Sequence, residues 1–70
     1  MNNAELKAAM LAGVPVIHRD SRHGTTSTYD RIYAIRYEPG ANGKIVVSAE
    51  LLDESANCIV HAEAKEVEKV

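Results

Sequence analysis

The sequence predicts a single, mainly β domain with one N-terminal α-helix and about five antiparallel strands. Two β-favouring runs flank residues 39–43, a breaker-rich segment in which Asn42-Gly43 readily takes positive φ, and this pattern is typical of a hairpin. The first twelve residues combine helix-forming alanines with a capping pattern. Because the 70 residues contain no repeat, low-complexity tract or linker, we expect one domain over residues 1–70.

The predicted helix covers residues 2–12, and the β domain covers residues 14–70. Asn2 can cap the free amides of the first turn, and Glu5 stands in the capping-box position three residues later. Gly13 and then Pro15 end the helix. Helical spacing places one group of residues on a common face: Leu6, Ala9, Met10 and Gly13. An isolated helix this short is marginal in water, so docking against the sheet must stabilise it.

The remaining elements follow from alternation and turn residues. The predicted strands are residues 14–19, 28–38, 44–53, 58–62 and 67–70, with turns at 39–43 and 53–57 and a single helical or 3₁₀ turn at 63–66. Residues 20–27 contain no apolar side chain and are predicted to form a solvent-exposed loop that bends near Gly24.

The strand at residues 28–38 has conflicting periodicities. Tyr29, Tyr33, Ile35 and Tyr37 alternate together, whereas Ile32 and Ala34 belong to the opposite face, which predicts either two covered faces or a bulge. A helix is the alternative, since the three tyrosines are also four residues apart. The chain has no Phe and no Trp, so at least one tyrosine, first of all Tyr33, is expected to fill the core.

Composition limits the setting and the partners. The single cysteine, Cys58, excludes an internal disulfide, and with no signal-peptide pattern or long apolar run it indicates a soluble, reducing, cytoplasmic protein without membrane contact. The net charge of −2 is unevenly spread. Residues 1–36 carry five bases and three acids, and residues 37–70 carry three bases and seven acids. All four arginines lie between positions 19 and 36, which predicts a local basic patch.

The order of predicted elements resembles the SH3-like barrel: an opening strand, a polar loop, a bent strand and hairpin, a third strand, a 3₁₀-like turn and a short closing strand. The sequence is also similar to short proteins of bacterial prophages and mobile elements. That similarity is carried by Leu6 to Ala9, Pro15-Val16, Arg31 to Tyr37, Ala49 to Asp53 and Asn57-Cys58. The resemblance implies a small SH3-like antiparallel barrel of about five strands. It includes no catalytic signature, so it assigns no activity to any residue.

The candidate binding residues are the polar loop, its flanks and the tyrosines beside it. They are Arg19, Arg22, His23, Arg31, Arg36, Tyr29 and Tyr37, with His18 next to them. Arginine supplies forked donors for phosphate or carboxylate, and tyrosine can stack on a base or pack against a peptide. The alternative is an ordinary solvated loop in which the arginines pair with Asp20 and Asp30.

Metal binding and catalysis are not predicted. On a strand, Cys58 and His61 point to opposite faces, and His18 with His23 across a bend would supply only two ligands. The alternative to a metal site is a packed Cys58 with partly exposed histidines. No spacing aligns Cys58, a histidine and Asp53 as nucleophile, base and orienter. We therefore expect a protein that is not an enzyme and has no small-molecule cofactor. The leading hypothesis is a protein-interaction module, including one that self-associates, and the alternative is a nucleic-acid-binding protein that uses the arginines.

Overall fold

The computed structural model describes residues 1–70 and confirms a mainly β chain with one N-terminal helix. The elements are α1 (Asn3–Ala12), β1 (Val16–Asp20), β2 (Thr25–Tyr29), β3 (Arg31–Pro39), β4 (Ile45–Asp53), β5 (Cys58–Glu63), a 3₁₀ turn (Ala64–Glu66) and β6 (Val67–Lys69). There are thus six strands instead of about five. They form two three-stranded antiparallel sheets, ordered β2-β1-β6 and β3-β4-β5, and do not join into one closed barrel.

The prediction of a loop over residues 20–27 is wrong. Thr25–Tyr29 form β2, which pairs with β1 from Asp20 opposite Thr25 to Val16 opposite Tyr29. Only residues 21–24 form a turn, and Gly24 at its end has a φ of 65°, a conformation that favours glycine. The predicted single strand over 28–38 is consequently two strands. Asp30 separates them, and its amide donates to the Leu52 carbonyl at 2.9 Å.

A bulge in β3 resolves the conflicting periodicities. The register with β4 shifts between Ile32 and Ala34, so Ile32 points into the core opposite Leu51 while Tyr33 is 55% exposed. The expectation that Tyr33 fills the core is therefore wrong, as is the helical alternative for this segment. Tyr29 is the tyrosine that packs against the core.

The core lies between the two sheets and α1. Its eight buried apolar residues are Leu6, Ala9, Val16, Ile32, Ala49, Leu51, Ala62 and Val67. The capping box between Asn2 and Glu5 is present, and Gly13 ends α1 in the left-handed conformation, as predicted. The helix contributes only Leu6 and Ala9 to the fully buried set, so a narrow stripe holds it against the strands.

Candidate functional site

A polar cleft of about 440 Å³ lies between the β1–β2 turn and the segment that leads into β6. It is lined by His18, Asp20, Ser21, Arg22, His23, His61, Glu63, Lys65 and Glu66, none of which is hydrophobic. The structure therefore brings together three of the predicted flank residues, His18, Arg22 and His23. It adds His61, so that all three histidines of the chain line one cleft.

Glu66 connects three parts of this cleft. Its Oε2 atom accepts hydrogen bonds from the Ser21 hydroxyl at 3.1 Å and the Ser21 amide at 3.4 Å, while its Oε1 atom lies 3.6 Å from His18 Nε2. The hydrogen bonds from Ser21 lower the pKa of Glu66, so its carboxylate stays ionised. His18 Nε2 is buried and has no hydrogen-bond partner. The hydrogen bonds between Ser21 and Glu66 thus tie the β1–β2 turn to the 3₁₀ turn.

Asp20 organises the turn itself. Its Oδ1 atom accepts from the amides of Arg22 and His23, and its Oδ2 atom lies 2.9 Å from His23 Nδ1. The side-chain hydrogen bond with His23 is the main cause of the lowered pKa of Asp20. Glu66 and Asp20 are therefore both hydrogen-bonded within the chain. No group of three or more histidine, cysteine or acidic side chains is placed to hold a metal ion.

The four arginines do not share one cleft. Arg22 lines the polar cleft and Arg19 lines a separate groove, whereas Arg31 and Arg36 line neither. Three of them also have acidic partners, although not the predicted ones: Arg19 pairs with Glu68, Arg31 with Glu54, and Arg36 with both Glu38 and Glu50. Asp20 and Asp30 instead accept hydrogen bonds from backbone amides, including that of Glu54. Arg22 alone has no acidic partner.

Tyr29 and Tyr37, the two tyrosines among the predicted binding residues, both make contacts within the chain. Tyr29 lies against the core beside His18, with ring centroids 6.4 Å apart. Tyr37 is half exposed, and its hydroxyl donates to Asn3 Oδ1 at 2.6 Å, which ties β3 to the start of α1. Tyr37 therefore has a structural contact to the helix.

Two polar side chains of the second sheet form a close pair. The Ser48 hydroxyl lies 2.8 Å from His61 Nε2, and Ser48 is only 3% exposed. His61 makes no hydrogen bond to an acidic side chain that would orient it, so the pair serves to satisfy a buried hydroxyl. Cys58 is exposed, which corrects the expectation that it is packed.

The sequence analysis missed the outer face of α1. Ala4, Ala8, Leu11 and Ala12 are all exposed there, and Leu11 reaches 85% exposure. Beside this face runs a groove of about 700 Å³ that α1, Val14, Pro15 and the end of β6 line, mostly with apolar atoms. Helical spacing could have identified this face, because positions 4, 8 and 11 are three or four residues apart, as the buried positions 6 and 9 are.

Comparisons of the chain with protein-family models, with curated proteins and with solved structures find no match. The structure contains no helix that is both long and apolar enough to cross a membrane.

Proposed function

We propose that this protein is a non-enzymatic interaction module that associates with a second copy of itself through the outer face of α1 and the adjoining groove. The observation that carries the proposal is that α1 is apolar on two opposite faces. Leu6 and Ala9 face the core, while Ala4, Ala8 and Leu11 face solvent. An exposed apolar patch rimmed by polar residues on a protein surface commonly marks an interaction site.

The same face offers a projecting side chain and a recess. Leu11 projects into solvent, and the groove beside it is lined by the small side chains of Ala8 and Ala12 with Val14 and Pro15. A two-fold interface requires a patch that is complementary to itself, and a knob beside a hole meets that condition. Alanines also allow close approach of another helix.

The charges at the groove favour a second copy over a strongly charged partner. Its lining includes one acid, Glu5, and one base, Lys69. In a two-fold pair each can face the opposite charge of the other copy, and neither sign is left in excess. The remaining polar lining residue, Asn2, is neutral and already caps α1.

The order of the elements supports a narrower proposal for the fold, namely an open SH3-like arrangement. β1 pairs with both β2 and β6, β2 continues into β3 through Asp30, and a 3₁₀ turn precedes β6. We also propose a reducing, cytoplasmic setting, in which the exposed thiol of Cys58 would remain reduced.

Sedimentation velocity over a range of protein concentrations tests self-association. We expect the wild-type chain to self-associate by the high micromolar range and the Leu11→Lys variant to sediment as a smaller species at the same concentration, because it places a charge at the centre of the apolar face. Ile45→Lys is the matched control, since Ile45 is also apolar and 62% exposed but lies at the β3–β4 hairpin. It should associate as the wild type does.

Two results would contradict the proposal. A wild-type chain that stays monomeric at high micromolar concentration would exclude self-association and leave only a foreign partner. Equal weakening by Leu11→Lys and Ile45→Lys would show that the outer face of α1 is not the specific contact.

Nucleic-acid binding has less support. Three arginines have glutamate partners, so a phosphate would have to displace a carboxylate at each of them. Binding should be strongest at low salt, and the absence of retention on DNA or RNA at about 50 mM salt would exclude this function.

A further inference from the structure

The free edge of β2 differs from every other sheet edge in this protein. β2 lies at the end of its sheet and is paired only with β1, although β4 also contacts it and the amide of Asp30, just after β2, donates to the Leu52 carbonyl. Its residues Thr25, Thr26, Ser27 and Thr28 are all exposed and uncharged. Threonine favours the extended conformation, so the segment is well suited to accept another strand. This edge belongs to the segment that the sequence predicted to be a loop, because residues 20–27 contain no apolar side chain.

The other three edges carry features that discourage pairing. β6 is only three residues long and includes Glu68 and Lys69. β5 carries His61 and Glu63, and β3 has a bulge, two arginines and a terminal proline. Short strands, charges, bulges and proline are the devices that protect sheet edges. β2 has none of them.

We infer that the β2 strands of two copies pair antiparallel about a two-fold axis at Ser27, which joins the two β2-β1-β6 sheets into one six-stranded sheet. This second contact deepens the proposed self-association, but it uses a different surface and does not require the α1 contact. Two such isologous contacts on one chain would build a closed tetramer or an open row of copies.

Symmetry restricts the register. A two-fold axis perpendicular to the sheet keeps each side chain on the same face of the sheet in both copies. Residues directly opposite each other across an antiparallel pair also lie on the same face. Even-numbered positions of one copy can therefore pair only with even-numbered positions of the other, and odd-numbered with odd-numbered. With Ser27 opposite itself, Thr26 faces Thr28 of the second copy and Thr25 faces Tyr29. These are uncharged pairs of β-branched, hydroxyl and aromatic side chains, which favour cross-strand contact.

The test residues lie on the outer face of β2. Thr26 is opposite Arg19 and Thr28 is opposite Ile17 on β1, whereas Tyr29 is opposite the buried Val16. Alternation therefore places Thr26 and Thr28 on the face away from Tyr29 and the core. Substitutions at these two positions change the edge without removing a core contact.

A pair of double variants in the Leu11→Lys background isolates this contact. In T26E/T28E, a two-fold register centred on Thr26, Ser27 or Thr28 places glutamate directly opposite glutamate. In T26E/T28K, the register centred on Ser27 places glutamate opposite lysine twice. We expect the Leu11→Lys chain to form a dimer at high concentration, T26E/T28E to raise its dissociation constant about tenfold or more, and T26E/T28K to retain it.

Each failure has a separate meaning. A Leu11→Lys chain that is monomeric, from a wild type that dimerises, overturns the β2 contact and leaves the proposed function intact. A dimer that T26E/T28E does not weaken also overturns it, and loss of the dimer in both double variants overturns the register. If T26E/T28E does not fold, amide exchange of the Leu11→Lys chain decides. The β2 amides should exchange more slowly at high than at low concentration, and equal rates would overturn the inference.

Discussion

The two leucines of α1 allow a direct test of its two apolar faces. Leu6 is fully buried, and replacing a buried leucine with alanine costs about 2–5 kcal/mol because contacts are lost and a cavity remains. A core of this size rarely supplies more than about 3–5 kcal/mol. Leu6→Ala should therefore remove most of the stability and lower the folded-to-unfolded ratio about a hundredfold.

Leu11→Ala should leave the monomer nearly unchanged. With 85% of the residue exposed, truncation uncovers little, and exposed substitutions usually stay within about 0.5 kcal/mol. Urea unfolding at low micromolar concentration measures this difference in the monomer. Sedimentation at high concentration should then show weaker association for Leu11→Ala.

The reasoning depends on the contrast between the two variants. If Leu11→Ala destabilised the monomer as much as Leu6→Ala, the outer face of α1 would already be packed within one chain. If Leu6→Ala cost less than about 1 kcal/mol, α1 would not be held by its buried stripe. Either result would refute the two-faced description of the helix.

Three further predictions concern single contacts. The hydrogen bonds from Ser21 lower the pKa of Glu66 below its ordinary 4.5. The stability that these bonds contribute is therefore present above that pH and is lost as the pH falls through the pKa of the folded state. Glu66→Gln should flatten this acid dependence of the free energy of unfolding in urea. Asn2→Ala removes the helix cap and should cost about 1 kcal/mol by thermal unfolding, while Asn2→Ser should retain most of it. Gly40→Ala should lower the melting temperature, because an added Cβ would lie 2.8 Å from Val46 Cγ2; an unchanged value would show that the hairpin yields freely.

The strands that bury apolar side chains could be predicted from the sequence, and β2 could not. In β4, the alternating residues Val47, Ala49 and Leu51 face the core, although Ile45, in phase with them at the start of the strand, is 62% exposed. Thr25 to Thr28 give no such alternation, because both faces of β2 are exposed there and only backbone pairing with β1 holds it. A strand that buries almost no apolar side chain cannot be recognised from the alternation of apolar and polar residues.

Tyr33 shows the limit of residue preference. Composition predicted that a tyrosine would fill the core in place of Phe and Trp, but no tyrosine is among the eight buried residues, and Tyr29 is a partly buried residue packed against them. The bulge after Ile32 rotates Tyr33 outward, and the bulge in turn depends on the register that β4 imposes. The position of one aromatic side chain was thus decided by a pairing of residues nearly twenty positions apart along the chain.

The uneven charge of the sequence has a different consequence from the one predicted. The arginines of the first half meet glutamates of the second half, as in the pairs of Arg19 with Glu68 and Arg31 with Glu54. Such exposed pairs contribute only about 0–1 kcal/mol each, so they do not hold the fold together. They do cancel the local positive field at Arg19, Arg31 and Arg36, because each of these three has a carboxylate within reach. A basic stretch in a sequence predicts a basic surface only when the fold leaves those bases without acidic neighbours, and here that holds for Arg22 alone.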